Sequence, residues 1–137
     1  MMGLVISAPI LLGLLIGLAL AGATAVLADR AEGDPRAGEA VYERCAACHS
    51  LATDRTGPRH CGLFGRQAGT VPGFAYSEAM KRSRIVWSGS TLDWFLADPL
   101  RAVPGTAMGY AGVPDGEERA DLIAYLERAT RSPECGS

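Results

Sequence analysis

Two thiols and an imidazole occur close together in this chain, in the segment Cys45-Ala46-Ala47-Cys48-His49. Thiols three positions apart on one helical turn face the same way, so each could add to one vinyl group of a porphyrin. The adjacent imidazole could then bind the iron as an axial ligand. The pattern is therefore typical of haem c held covalently by Cys45 and Cys48, with His49 on the iron.

Three other chemistries remain open for this motif when it is taken alone. A thioredoxin-like redox pair needs a βαβ surround, which the sequence does not indicate. A zinc site needs a second close pair of ligands, and His60-Cys61 is a poor one because its spacing from His49 fits no zinc pattern. A structural disulfide beside an unrelated histidine is the third. Detection of covalently held haem would distinguish the haem c interpretation from all three alternatives.

Charge is confined to one part of the chain. The first 28 of the 137 residues carry none, so all 13 Lys+Arg and all 15 Asp+Glu follow them. A formal net charge of −2 excludes nucleic-acid binding that relies on general basicity. The two signs are interspersed, which favours one folded domain of ordinary size over a disordered tail.

Residues 1–28 are predicted to be a secretory signal peptide. An apolar run is followed by small residues, and cleavage is favoured after Ala28 over Ala25. The usual charged segment before the run is missing, and the run is long enough to cross a bilayer, so an uncleaved membrane anchor is the alternative. In both cases residues 29–137 are expected to be a haem domain that is periplasmic, or anchored facing the periplasm.

Helical patterns and capping residues predict an all-α domain with long loops. Asp34 and Pro35 begin a first helix that is predicted to run to Ala47, with the Cys-x-x-Cys-His motif at its end. Loops this long in a small domain need something to pack on, and a buried haem would supply it. Further helices are predicted over residues 77–83, over residues 91–97 between the cap Ser90 and the stop Pro99, and over residues 116–131 after the cap Asp115.

From Gly33 to about Thr130 the motifs together resemble class I c-type cytochromes, the small monohaem electron carriers of the bacterial type. The resemblance implies their fold, in which three main helices, short helices and long loops surround one covalently bound haem. The segments that carry it, in chain order, are residues 33–39, the haem motif, Gly57-Pro58, residues 62–66, residues 73–77, Trp87, Thr91-Leu92, residues 104–108 and residues 121–126.

The resemblance also implies how the iron is held. Met108 would bind it opposite His49, and Met80 and His60 are the alternatives in the domain. The carbonyl of Pro58 would accept a hydrogen bond from the His49 imidazole and so fix its orientation.

The resemblance implies that three residues of this chain lie around a haem propionate. Tyr76 and Trp87 would donate hydrogen bonds to it and Arg66 would lie nearby, with plain core packing as the alternative for both aromatics. Two positions depart from the family pattern. Phe95 stands where a tyrosine is common, and Met80 where an asparagine is common. Both changes make the surroundings of the iron more apolar, which implies a shifted reduction potential.

The function implied is that of an exported monohaem cytochrome that carries single electrons in a respiratory or photosynthetic chain and catalyses nothing. The alternative is a haem protein with an open sixth position that binds a small ligand or serves an enzyme. Membrane or soluble redox proteins are the expected donor and acceptor. Nucleic acid and small-molecule substrates are not expected, and the protein is expected to be a monomer.

Members of the family dock through a lysine-rich face, but this chain contains a single lysine, Lys81. Charge should therefore steer partners weakly. Arg44 and Arg101 would flank the exposed haem edge. Leu100, Ala107 and Tyr110 would form an apolar docking patch there, or be scattered surface residues.

Cys61 and Cys135 remain after haem attachment, and a left-over pair in an exported protein favours a disulfide. The resemblance places the two in neighbouring regions. Such a bridge would close a loop of about 75 residues and contribute roughly 4 kcal/mol in the chain-entropy model. Free thiols or an intermolecular link are the alternatives. His60 is expected to be structural, buried and hydrogen-bonded.

Overall fold

A computed structural model describes residues 33–136, and this part of the chain is helical. Within it no strand occurs apart from an isolated bridge between Gln67 and Val86. No helix in the same range has the length and apolar character needed to cross a bilayer. The signal peptide or anchor predicted over residues 1–28 lies outside the described residues. The helices are α1 (Pro35–Tyr42), α2 (Glu78–Arg82), α3 (Gly89–Ala97), α4 (Pro99–Ala102) and α5 (Gly116–Ala129), followed by a 3-10 turn (Pro133–Cys135).

Helices α1 and α5 make the most extensive contact between helices. A Cβ at Gly38 would overlap the backbone carbonyl of Asp121, so the two backbones approach as closely as glycine permits. Asp34 caps α1, because its side chain accepts from the Arg36 N–H at 2.8 Å. The Asp34 N–H in turn donates to the Asp121 carboxylate at 2.6 Å. The start of α1, which was predicted from Asp34 and Pro35, is thereby fixed to α5.

Helix α1 ends at Tyr42, and the prediction that it continues to Ala47 is wrong. The Cys45 N–H donates to the Tyr42 carbonyl at 2.8 Å, and the His49 N–H donates to the Cys45 carbonyl at 2.9 Å. The haem motif therefore lies in successive tight turns after the helix. No residue in the segment breaks helices, so the sequence carried no local sign of this ending.

Helix α3 begins two residues earlier than predicted, because Ser88 and not Ser90 is its cap. The Ser88 side chain accepts from the Thr91 N–H at 3.3 Å, and the Thr91 hydroxyl accepts from the Ser88 N–H at 2.8 Å. This reciprocal pair is a capping box, which a serine at position 90 could not complete with Thr91. Pro99 was predicted to stop this helix, which ends at Ala97, and Pro99 itself begins α4.

Helix α5 begins as predicted, with the Asp115 side chain accepting from the Glu118 N–H at 2.9 Å. It ends at Ala129 with Thr130 as its C-cap, slightly before the predicted end at Arg131.

One hydrophobic core joins these helices to the loops between them. Leu122 of α5 lies at its centre with 0% of its surface exposed. Cys45, Tyr76 and Met108 are partly buried and pack against this core. The core therefore positions three of the predicted site residues. Its buried members are Val41, Tyr42, Leu63, Ala68, Met80, Trp87, Leu92, Phe95, Leu96, Val103, Val113, Leu122 and Leu126.

Candidate haem site

The imidazole of His49 is buried and held by the loop that follows the haem motif. Its Nδ1 lies 2.7 Å from the carbonyl oxygen of Pro58. A carbonyl can only accept, so Nδ1 carries the proton and Nε2 keeps its lone pair. Burial lowers the pKa of His49, although the hydrogen bond to Pro58 opposes that shift. A neutral imidazole with a fixed tautomer is what an iron ligand requires.

The loop at residues 55–58 fits closely against the motif. The Gly57 N–H donates to the Cys48 carbonyl at 2.7 Å, and the Arg55 guanidinium donates to the Ala46 carbonyl at 2.6 Å. A Cβ at Gly57 would lie within 2.7 Å of both ring nitrogens of His49. The loop therefore takes carbonyls that a continued helix would have used, and glycine lets its backbone lie against the imidazole.

Cys45 and Cys48 are free thiols with different surroundings. Cys45 is partly buried against the core and Cys48 is exposed. Burial raises the pKa of the Cys45 thiol, Cys48 adds to the shift and Arg44 opposes it. The thiol is therefore protonated at neutral pH. One thiol at the core and one at the surface, beside an oriented imidazole, fit a haem c group that is buried along one edge and exposed along another.

Met108 lies in the loop between α4 and α5 and packs, partly buried, against the core. Its N–H is 3.2 Å from the Thr106 hydroxyl, and the Thr106 N–H donates to the Val103 carbonyl at 2.9 Å. Gly105 has φ of 89°, a left-handed conformation that glycine adopts without strain. These bonds fix the turn that carries the thioether.

The two alternative ligands are placed differently. Met80 is a buried member of the core in α2, with 8% of its surface exposed. The ring of His60 stacks on the ring of His49, with centroids 4.3 Å apart and planes inclined by 23°. A ring stacked on the face of His49 cannot also bind the opposite side of an iron that His49 holds.

The residues expected near a propionate are partly linked to one another. Trp87 is 8% exposed and packs edge-on against Phe95, with centroids 5.1 Å apart. The backbone N–H of Trp87 donates to the Arg66 carbonyl at 3.0 Å, and the Arg66 guanidinium donates to the Cys61 carbonyl at 2.8 Å. Burial raises the pKa of Tyr76 and lowers that of Arg66. Trp87 and Arg66 are thus neighbours through the backbone, and Arg66 braces the loop at Cys61.

Cys61 and Cys135 are joined as a disulfide, with Cα atoms 5.2 Å apart and a sequence separation of 74. The adjacent Gly62 N–H donates to the Thr130 carbonyl at 3.2 Å. The loop after the haem motif is therefore attached to the end of α5 and to the turn beyond it.

The sequence predicts a buried and hydrogen-bonded His60 but not its partners, and the structure shows His60 partly buried. The hydroxyl of Tyr42 is hydrogen-bonded to its Nδ1 at 3.1 Å, and the Tyr42 ring packs on Tyr125 with centroids 5.1 Å apart. Burial lowers the pKa of His60 to about 3, and His49 and Arg66 add to the shift. The one indication of the contact between Tyr42 and His60 in the sequence is that Tyr42 is a polar aromatic residue on the buried face of α1.

The positive charge of the residues expected around the haem edge is partly offset. Arg44 forms an ion pair with Glu118 at 2.8 Å, which offsets its charge. Leu100 is among the exposed large hydrophobic residues, at 50%. The exposed members of the set are Arg44, Leu100, Arg101 and Ala107, and Tyr110 is partly buried.

Comparison with known proteins places this arrangement in context. The sequence model of the cytochrome c family matches residues 35–130. Cytochrome c of Sesamum indicum is 44% identical over 102 residues, which cover 72% of this chain and 92% of that protein. Cytochrome c2 of Blastochloris viridis is 43% identical over 107 residues, which cover 76% and 84%. The solved structure of cytochrome cH from Methylobacterium extorquens matches with a TM-score of 0.68 at 41% identity, covering 69% of this chain and 98% of that one.

The similarity extends over the helical domain from α1 to α5. It confirms the all-α class I fold that the motifs predicted. Cytochromes c carry electrons and bind one covalent haem c with its iron, which confirms the predicted cofactor and agrees with the free thiols and oriented imidazole described above. The chain belongs to the cytochrome c family.

Proposed function

We propose that this protein is an exported monohaem electron carrier, in which Cys45 and Cys48 hold the haem while His49 and Met108 bind its iron. The bound iron supplies the chemistry, which is the reversible uptake of one electron. The observation that carries the proposal is the 2.7 Å hydrogen bond from His49 Nδ1 to the Pro58 carbonyl, directly beside two free thiols. It leaves Nε2 available as a ligand at the place where the thiols would fix a porphyrin.

The chain itself would bind, orient and exclude water. Pro58 would keep the His49 ring in one tautomer and increase its basicity. Phe95 is 4% exposed and, unlike the tyrosine common at this position in the family, would have no hydroxyl to donate to the Met108 sulfur. Together with the buried Met80 it would make the iron environment apolar, which supports a shifted potential.

Propionate binding by Tyr76, Trp87 and Arg66 is part of the same proposal. The position of Trp87 supports it, because the ring is largely buried in the core while its indole N–H could donate to a carboxylate. The cation of Arg66 lies in the same region as Tyr76, with which it interacts electrostatically. These groups would offset the charge of a propionate at the edge of the core.

Export and the disulfide belong together in this proposal. Residues 1–28 would direct the chain out of the cytoplasm, either as a cleaved signal peptide or as a retained anchor. The Cys61–Cys135 bridge supports a periplasmic location, because disulfides persist in oxidising compartments. There the domain would act as a monomer between redox proteins of a respiratory or photosynthetic chain.

The docking surface proposed for these partners is the exposed haem edge with its apolar patch at Leu100, Ala107 and Tyr110. The pairing of Arg44 with Glu118 supports weak steering by charge. Association with a partner should therefore depend less on salt than it would for a lysine-rich face.

Expression of the full chain in a host that matures c-type cytochromes tests the function. We expect a haem-stained band on a denaturing gel, a one-electron redox titration, and the methionine–iron charge-transfer band near the red end of the visible spectrum. A colourless protein with both motif thiols reactive would overturn the proposal. A haem protein that lacks the band and binds cyanide at once would instead establish the open sixth position.

A further inference from the structure

We propose that His60 is a positioning residue that sets the plane of the His49 imidazole. The inference rests on the proposed binding of iron by His49 and adds to it a second side chain. It is carried by the stacking of the two rings, with centroids 4.3 Å apart and planes inclined by 23°.

One hydrogen bond does not fix the orientation of an imidazole. The bond from Nδ1 to the Pro58 carbonyl sets where one corner of the ring points. Together with the covalent bond at Cγ it still lets the ring tilt through small concerted changes of χ1 and χ2, unless something bears on its faces. His60 stacks on the ring, and Gly57 brings backbone so near that a Cβ would lie within 2.7 Å of both ring nitrogens. Planar stacking and close backbone together restrict the remaining tilt.

His60 can impose a plane only if its own ring is held. Its Nδ1 is hydrogen-bonded to the Tyr42 hydroxyl at 3.1 Å, and its backbone N–H donates to the Ser50 carbonyl at 3.0 Å. The next residue is Cys61, which is joined to Cys135. Side chain, backbone and neighbour are therefore all attached to fixed parts of the domain.

Tyr42 links this contact to the main helix pair. It is the last residue of α1, is 8% exposed, and packs on Tyr125 of α5 with ring centroids 5.1 Å apart. A continuous series of contacts therefore runs from α5 through Tyr42 and His60 to His49. The packing of two helices would in this way determine the orientation of an axial ligand.

The plane of an axial imidazole governs how unpaired electron density of an oxidised iron is distributed over the porphyrin. Proton NMR of the haem methyl groups reports that distribution directly. A residue with a merely structural role would change stability and leave the order of these resonances as it is. The measurement therefore separates positioning from packing.

The experiment uses four variants of the full chain, each matured with haem. His60→Leu removes the ring and the hydrogen bond, and we expect the spacing and order of the haem methyl resonances to change. His60→Phe keeps a planar ring and should preserve the order. Tyr42→Phe removes only the hydroxyl and should shift the resonances in the direction of His60→Leu, by less. The control Tyr125→Phe alters the same cluster away from His49 and should match the parent.

The inference is overturned if His60→Leu shows the parent pattern in a folded, low-spin protein. If His60→Leu does not fold, Tyr42→Phe and Tyr125→Phe decide, and equal patterns in these two would also overturn it. Failure of the proposed function has a different signature, since the parent itself would then lack covalent haem or a histidine-ligated spectrum.

Discussion

Gly38 in α1 lies against the backbone carbonyl of Asp121 in α5 with no room for a methyl group between them. A Cβ at this position would also lie 2.8 Å from the Cβ of Tyr125. The first obstacle is backbone and cannot rotate away. Because the haem motif follows α1 directly, this contact also decides where the thiols and the imidazole lie.

Replacing Gly38 by alanine should force the two helices apart. Overpacking of this kind costs about 1–3 kcal/mol of the free energy of unfolding. Guanidinium titration followed by haem absorbance would measure the loss. Ala40→Ser is the matched control, because Ala40 is an exposed residue of the same helix and should change stability by no more than ~0.5 kcal/mol. Equal losses in the two variants would contradict the role assigned to Gly38.

Met108→Ala should leave the haem covalently attached and open one coordination position on the iron. The methionine–iron band should disappear and cyanide should bind faster, because no thioether has to be displaced. Met80→Leu is the comparison, since it conserves volume in the core and should keep the band. If Met80→Leu loses the band while Met108→Ala keeps it, the assignment of the sixth ligand is reversed.

Replacing Cys45 and Cys48 together by alanine should abolish haem staining on a denaturing gel, since no thioether bond could then form. The double variant Cys61→Ser/Cys135→Ser should stain as the parent does. A stained band in the first variant would show that the haem is attached elsewhere on the chain.

Loss of the Cys61–Cys135 bridge should lower stability without changing the haem spectrum. Its Cα atoms are 5.2 Å apart across 74 positions of sequence, and closing a loop of that size contributes roughly 4 kcal/mol in the chain-entropy model. Guanidinium unfolding of Cys61→Ser/Cys135→Ser against the oxidised parent gives the difference. The same midpoint for both would mean that the bridge contributes nothing.

Alkaline pH should weaken the fold through Tyr42. Burial raises its pKa from 10.0 to about 12, and Tyr125, Cys45 and Glu134 add to the shift. A folded-state pKa above the unfolded one means that this contribution is complete below pH 10 and is lost as pH rises through 12. Two pKa units correspond to about 2.7 kcal/mol. Stability of Tyr42→Phe should fall less steeply over this interval, and parallel curves would rule Tyr42 out as the cause.

The parts of the fold that could be predicted from the sequence depend on neighbours along the chain. Asp34 and Asp115 were recognised as caps because a cap bonds to an N–H two or three residues away. Between Ser88 and Ser90 the choice depended on Thr91, whose hydroxyl completes the pair with Ser88. The end of α1 at Tyr42 could not be predicted, because loop residues from beyond the motif take the carbonyls that follow.

The same distinction holds for the site. Cys45, Cys48 and His49 form a contiguous motif, so their chemistry could be inferred directly from their spacing. The bond from His49 to Pro58 was expected only through the family resemblance. The stacking of His60 on His49 and its bond to Tyr42 depend on the path of the intervening loop and on the register of α1, neither of which leaves a periodic pattern in the sequence.

The bridge from Cys61 to Cys135 joins two cysteines that are added to the growing chain at well separated times. Synthesis proceeds from the N-terminus, so Cys61 is made soon after the motif thiols and 74 positions before its partner. During that interval the motif thiols Cys45 and Cys48 are the cysteines with which Cys61 could form a non-native disulfide. Haem attachment to Cys45 and Cys48, as proposed above, would remove those two thiols and leave Cys61 with Cys135 as its native partner.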